Sequence, residues 1–270
     1  MLQKNTLGLG LAAALLSLLV ACATSPTGRS QFVGLAPSDA EMGKMGAVAY
    51  SDLKKKTKIN TDPATNAYVS CVAHALLNTF PADEGKGWEI TVFEDDTPNA
   101  FALPGRKIGV HTGIFKAAKN QAQLAAVVGH EIGHVEAHHG AERLSVNTAT
   151  SGVALAAALL VGGNSNDSNL AMAAIGAGAT VGVILPFSRT QESEADTLGL
   201  RYMAQAGFNP AEAITLWENM NKEGGAKPPE FLSTHPADST RMAALNRQQS
   251  DVDPLYQQAK ADGRHPNCKL

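Results

Sequence analysis

The stretch Val127-Val128-Gly129-His130-Glu131-Ile132-Gly133-His134-Val135 constrains this chain more than any other, because one pattern dictates both a helix and a use for it. Two histidines four apart on a helix leave the same face about one turn apart, so their ring nitrogens can close on one metal ion. The Glu after the first His lies beside that ion, where it can take a proton from water. The chain has 8 His and 25 acidic residues in 270. At that frequency a chance pentad is expected only about 0.02 times, so coincidence is a weak competitor. Leu124, Val127, Val128, Ile132 and Val135 make the helix largely apolar. Its polar residues are therefore buried, and buried His and Glu require partners.

Two histidines do not complete a zinc shell, which in a catalytic site keeps three protein ligands and a water. A third His six residues after the second would fall at 140, where the chain has Gly140. His138 and His139 sit further along the same helix and read as supporting or surface residues. The acidic cluster Glu192, Glu194 and Asp196 is the next source of a ligand. On a helix Glu192 and Asp196 share a face, whereas Glu194 points roughly 200° away from Glu192. Glu192 can then bind metal while Asp196 buttresses a ligand His through its second nitrogen. Acid enriched in a first helical turn is the competing account.

At 270 residues the chain can bury a full core as one or two domains. A formal charge of -3, no basic block and 5% aromatic residues argue against nucleic acid. The N-terminus reads as a targeting segment: Lys4, then apolar Leu7 to Val20. Leu19-Val20-Ala21-Cys22 resembles the bacterial lipoprotein box, with Cys22 acylated as the first mature residue; a plain signal peptide or an anchor helix are the alternatives. Ala23 after it points to the outer membrane, and two or more acyl chains give stable anchoring. The expected organisation is a signal peptide at 1–21, a flexible tether at 22–37, a catalytic domain at 38–250 and a tail at 251–270. Cys71 and Cys268 remain as an even pair, which an exported, oxidising context permits to form a disulfide.

In order, Ser38 caps a helix to about Lys56, and Asp62-Pro63 starts another to about Thr79. Trp88 to Glu94 alternates as a strand, Asn99 to Gly105 is a turn with apolar anchors, and Lys107 to His111 is a second strand. Its edge, at Gly109, Val110 and His111, is the expected place for an extended peptide to add as a strand. Asn120 caps the pentad helix, expected to end near Gly140. Residues 146–187 read as two packed Ala- and Gly-rich helices forming a lid, with a membrane hairpin as the alternative. Ser188 opens a helix to about Ala206, Asn209-Pro210 the next, and the last ends near Gln249.

The motifs together resemble peptidase family M48, which pairs His-Glu-x-x-His with a downstream Glu-x-x-Ala-Asp. Here these are His130 to His134 and Glu192 to Asp196, with Asn99-Ala100-Phe101-Ala102 and Thr234-His235-Pro236 also matching. The resemblance covers about 38–250 and, with the lipoprotein box, extends to the periplasmic lipoprotein-type members. It implies an α+β, mainly α-helical, gluzincin-like zincin fold with a small sheet beside the active-site helix. It implies one Zn2+ held by His130, His134 and Glu192, with Glu131 as base and Asp196 behind a ligand. His235 matches a residue that in some relatives reaches the zinc and holds the enzyme latent, and Arg241 matches one that lies in the site; either is a candidate oxyanion donor. Arg106 departs from the pattern, which has a second Gly after Pro104-Gly105. The implied activity is peptide hydrolysis on misfolded or outer-membrane-associated proteins at the cell envelope. Implied partners are polypeptides, the membrane through the lipid, outer-membrane assembly machinery or another envelope protease. A non-proteolytic assembly factor with structural zinc, and a membrane-embedded protease, are the competing functions.

Overall fold

A computed structural model describes residues 22–160, 187–223, 230–236 and 239–270. The signal peptide, the polar loop at 162–169 and the second arm of the expected lid lie outside the described residues, apart from Phe187. Two compact units divide the chain: residues 38–137 with 186–270, and residues 1–37 with 138–185.

The larger unit begins with α1 (Asp39–Lys56), started by a reciprocal capping box between Ser38 and Glu41. Helix α2 (Pro63–Leu77) is capped by Asp62, whose carboxylate accepts from the Thr65 N–H at 2.8 Å. Both starts agree with the sequence, because caps are local chemistry. Strands β3 (Glu89–Phe93), β4 (Ala100–Leu103) and β5 (Lys107–His111) then form a sheet in the order β3-β5-β4. β3 runs parallel to β5 and β4 antiparallel to it.

This order corrects the expected peptide edge. β5 is the middle strand, bonded on both sides, so Gly109, Val110 and His111 offer no open edge. The segment read as a turn, Ala100 to Leu103, is itself a strand, and it is an outer one. Its hairpin with β5 turns through Gly105 (φ 84°) and Arg106 (φ 62°). That left-handed backbone explains why glycine would fit at 106. Arg106 occupies it while donating from Nη1 to the Lys86 carbonyl at 2.8 Å. The buried Tyr50 pins α1 to the sheet by donating to the Ile108 carbonyl at 2.7 Å.

Helix α3 (Gln121–Glu136) carries the pentad and is buried at every residue from Ala122 to His134. It ends at Glu136 rather than near Gly140, and His138 takes a left-handed backbone (φ 51°). Helix α5 (Arg189–Ala206) packs directly on α3. Glycines allow that close approach. A Cβ at Gly133 would lie 3.0 Å from the Ala195 carbonyl oxygen, and one at Gly199 would lie 3.0 Å from the His130 nitrogen. Helices α6 (Glu212–Glu223), α7 (Glu230–Thr234) and α8 (Ser239–Ala261) complete the unit. α8 continues through Pro254, so residues 251–261 are helix rather than tail. Proline only weakens an interior position when its neighbours pack well enough. Beyond α8, Cys268 is disulfide-bonded to Cys71, and Gln121 both donates to the Pro266 carbonyl and accepts from the Cys268 N–H, each at 2.8 Å.

The other unit holds β1 (Cys22–Thr24) and β2 (Ser30–Phe32), an antiparallel pair, and α4 (His139–Leu160). Within the stretch read as a tether, Cys22 to Phe32 forms this hairpin. Arg29 grips Glu142 of α4 with two hydrogen bonds of 2.7 and 2.8 Å, and the Leu35 N–H donates to Ser145. The first arm of the expected lid, Gly152 onward, is the C-terminal part of α4. Among the described residues no helix is long and apolar enough to cross a membrane.

Candidate metal centre

Four helices of the larger unit converge on one point. α3 supplies His130, Glu131 and His134, α5 supplies Glu192 and Asp196, the residue after α7 is His235, and α8 supplies Arg241. All seven are buried.

The donor atoms form a compact set. His130 Nε2 lies 3.1 Å from His134 Nε2 and 3.3 Å from His235 Nδ1. Glu192 Oε1 lies 3.0 Å from His235 Nδ1 and 3.5 Å from His134 Nε2, and Glu192 Oε2 is 3.4 Å from His130 Nε2. Among the described residues these four make up a metal-binding group. A tetrahedral zinc with bonds of about 2.0–2.1 Å has ligand atoms about 3.3 Å apart. The chemistry of the donors, three imidazoles and one carboxylate, also suits zinc. The residues therefore fit the ion. Glu194 is buried but outside this group, so the spacing argument that separated it from Glu192 holds in the fold.

The surrounding groups fix the donors. His130 Nδ1 lies 3.0 Å from Asp196 Oδ1, which orients the ring and leaves Nε2 toward the other donors. Arg241 holds Asp196 with Nε to Oδ2 and Nη2 to Oδ1, both 2.8 Å. Its Nη1 reaches Glu192 Oε2 at 2.7 Å and donates to the Pro236 carbonyl at 2.9 Å. This buried guanidinium thus ties Asp196, Glu192 and the Pro236 carbonyl together. His235 is likewise occupied: its Nδ1 faces the donors, and its Nε2 lies 3.5 Å from Glu131 Oε1. Its ring stacks on Phe231 and Phe187, with centroids 4.6 and 5.3 Å away.

The electrostatics follow from burial against neighbours. Burial opposes charge on Glu192, but hydrogen bonds from His130, His134 and His235 outweigh it and hold its carboxyl far below the usual range. Burial likewise disfavours a charged His130, yet Asp196 and Glu192 raise it to about 9. His134 is pushed down by burial, and Glu131 is pushed up by it. Glu131 Oε1 is buried with no hydrogen-bond partner, while the Ala102 backbone of β4 hydrogen-bonds to the same carboxyl group.

Gly109 and Val110 stay within the sheet, and His111 contacts Thr97 and Asp95. Cys22 begins β1 in the other unit. Sequence reasoning missed Trp217, Phe231 and Phe187, which surround the donors. Apolar aromatics carry no spacing signal, and only tertiary packing identifies them.

A family model described as Peptidase family M48 matches residues 63–249. The chain belongs to peptidase family M48. Its relatives include the mitochondrial metalloendopeptidase OMA1 of Schizosaccharomyces pombe, 39% identical over 67% of this chain and 52% of that protein. The Arabidopsis thaliana protein of the same name is 38% identical over 64% and 33%. The beta-barrel assembly-enhancing protease of Escherichia coli is 26% identical over 81% and 46%. The chain matches about half or less of the length of these relatives. M48 metallopeptidases use zinc, and the donor set described above fits that ion.

Proposed function

We propose that this chain is a zinc metalloendopeptidase of the bacterial cell envelope. The observation that carries the reading is the buried carboxyl group of Glu131, set directly beside four side chains that could hold one metal ion. His130, His134 and Glu192 hold the ion, and Asp196 fixes the His130 ring. Zinc, when bound, supplies a Lewis acid for the scissile carbonyl and lowers the pKa of a coordinated water to about 7. Glu131 takes a proton and returns it to the leaving amine; burial raises its affinity for that proton. β4, whose Ala102 backbone meets Glu131, lays an extended peptide across the site by strand addition. His235, whose Nδ1 faces the other donors, would complete the donor set in the resting chain, and its imidazole would be free to donate to the oxyanion once displaced.

The lipoprotein-box resemblance at Cys22 supports a lipid anchor, outer-membrane on the strength of Ala23. The name of the Escherichia coli relative, a beta-barrel assembly-enhancing protease, supports substrates or partners in beta-barrel assembly. One observation favours a second reading. Four protein donors around one point is also the arrangement of a structural zinc, which suits a non-proteolytic assembly factor. Glu131→Gln separates the two. As a protease the variant keeps its zinc and loses cleavage of an unfolded protein. Full complementation in cells by the variant would favour the structural reading.

A further inference from the structure

Helix α6 contributes no metal donor, yet its Trp217 touches three of the elements that do or that hold the donors. The Arg241 guanidinium lies over the indole, with Cζ 4.4 Å from the ring centroid. The His130 ring meets it edge-on at 5.6 Å and 79°, and Phe231 packs on it at 5.5 Å. Trp217 is 3% exposed. Phe231 in turn stacks on His235. One indole therefore adjoins His130 on α3, Arg241 on α8 and the Phe231 ring that stacks on His235.

We infer that Trp217 is a positioning residue for the metal centre, acting through Arg241. A desolvated guanidinium is attracted to an indole face, and Trp is the strongest such face. The same guanidinium spends Nη1 on both Glu192 and the Pro236 carbonyl, and its other nitrogens on Asp196. Holding its plane thus sets the ligand carboxylate, the residue behind His130 and the backbone next to His235 together. A Trp that merely filled core volume would be replaced equally well by any apolar side chain of similar size.

This inference rests on the proposed zinc site, and the test separates the two. Zinc affinity of the full-length chain is measured by competition with a chromophoric chelator, for wild type, Trp217→Met and Trp217→Phe. Met is a flexible apolar gap-filler without a ring face, whereas Phe keeps a smaller ring. The expected result is a loss of roughly tenfold for Met, the low end for removing support behind a ligand, with Phe recovering most of it. Cobalt in place of zinc is expected to show an altered absorption spectrum in the Met variant alone. Met binding as tightly as wild type, or Phe losing as much as Met, overturns the inference. Absence of zinc binding by wild type overturns both this inference and the metal site beneath it. Where the Met variant does not fold, a Trp88→Phe chain carries the test through Trp217 fluorescence. The emission is expected to change on adding zinc, and an unchanged emission overturns the inference.

Discussion

Arg241 and Asp196 meet through two parallel hydrogen bonds of 2.8 Å, wholly buried, behind His130 of the proposed metal site. Asp196 turns its Oδ1 to His130 Nδ1 at 3.0 Å. The pair is therefore a brace for a ligand and also a buried charge pair whose halves depend on each other.

Removing the charge from that brace weakens the metal site. Asp196→Asn keeps the shape but no longer favours the tautomer that points Nε2 at the ion. Zinc affinity is expected to fall about 10–100-fold, as for other supports behind ligands, measured by chelator competition. Arg241→Ala is harsher, because it strands a buried carboxylate. It is expected to destabilise the fold by about 3–5 kcal/mol, read from denaturant unfolding.

The metal-free protein has a specific pH dependence. His130 has a folded pKa of about 9, above its unfolded value of 6.5. Its contribution is complete below about 6.5 and disappears as pH rises through 9. His134 is shifted down by burial and Glu192 is held down by its three imidazole partners. Their contributions are present above the unfolded values and decline as pH falls. The thermal midpoint of the metal-free chain is thus expected to drop between pH 6.5 and 9. With zinc bound the drop is expected to vanish, since His130 is then neutral throughout.

His235 Nδ1 lies 3.0 Å from Glu192 Oε1 and 3.3 Å from His130 Nε2, where it would complete the proposed metal site. His235→Ala opens that position. Cleavage of an unfolded protein is expected to rise at least about fivefold, because a larger fraction of molecules is competent. Unchanged or lower cleavage would show that the imidazole serves the chemistry more than it blocks it.

The Cys71–Cys268 bridge closes a separation of 197 residues in sequence. Cys71→Ser with Cys268→Ser is expected to reduce stability by about 2–4 kcal/mol. Zinc affinity should stay the same, because Gln121 still holds the C-terminal segment through Pro266 and Cys268 backbone atoms.

Legibility in the sequence tracked the range of the interaction. His130 and His134, and the shared face of Glu192 and Asp196, follow from helical periodicity and were visible locally. Caps at Ser38, Asp62, Asn120 and Ser188 were visible for the same reason. Strand order was not, since nothing within Lys107 to His111 says that both its sides are paired. Ala100 to Leu103 is too short to show alternation, and Pro254 reads as a helix end until α8 is seen to pack through it. The hairpin at Cys22 to Phe32 depends on Arg29 meeting Glu142, 113 residues away. The commitments of Arg241 and the role inferred for Trp217 exist only once four helices meet.

The most direct test is an anomalous-difference map at the zinc absorption edge from crystals of the zinc-loaded protein. The account predicts one peak, about 2.0–2.2 Å from nitrogens of His130 and His134 and an oxygen of Glu192, with His235 Nδ1 as fourth ligand in the resting state. A peak bound by Glu194, or no peak within reach of His130 and His134, would contradict it.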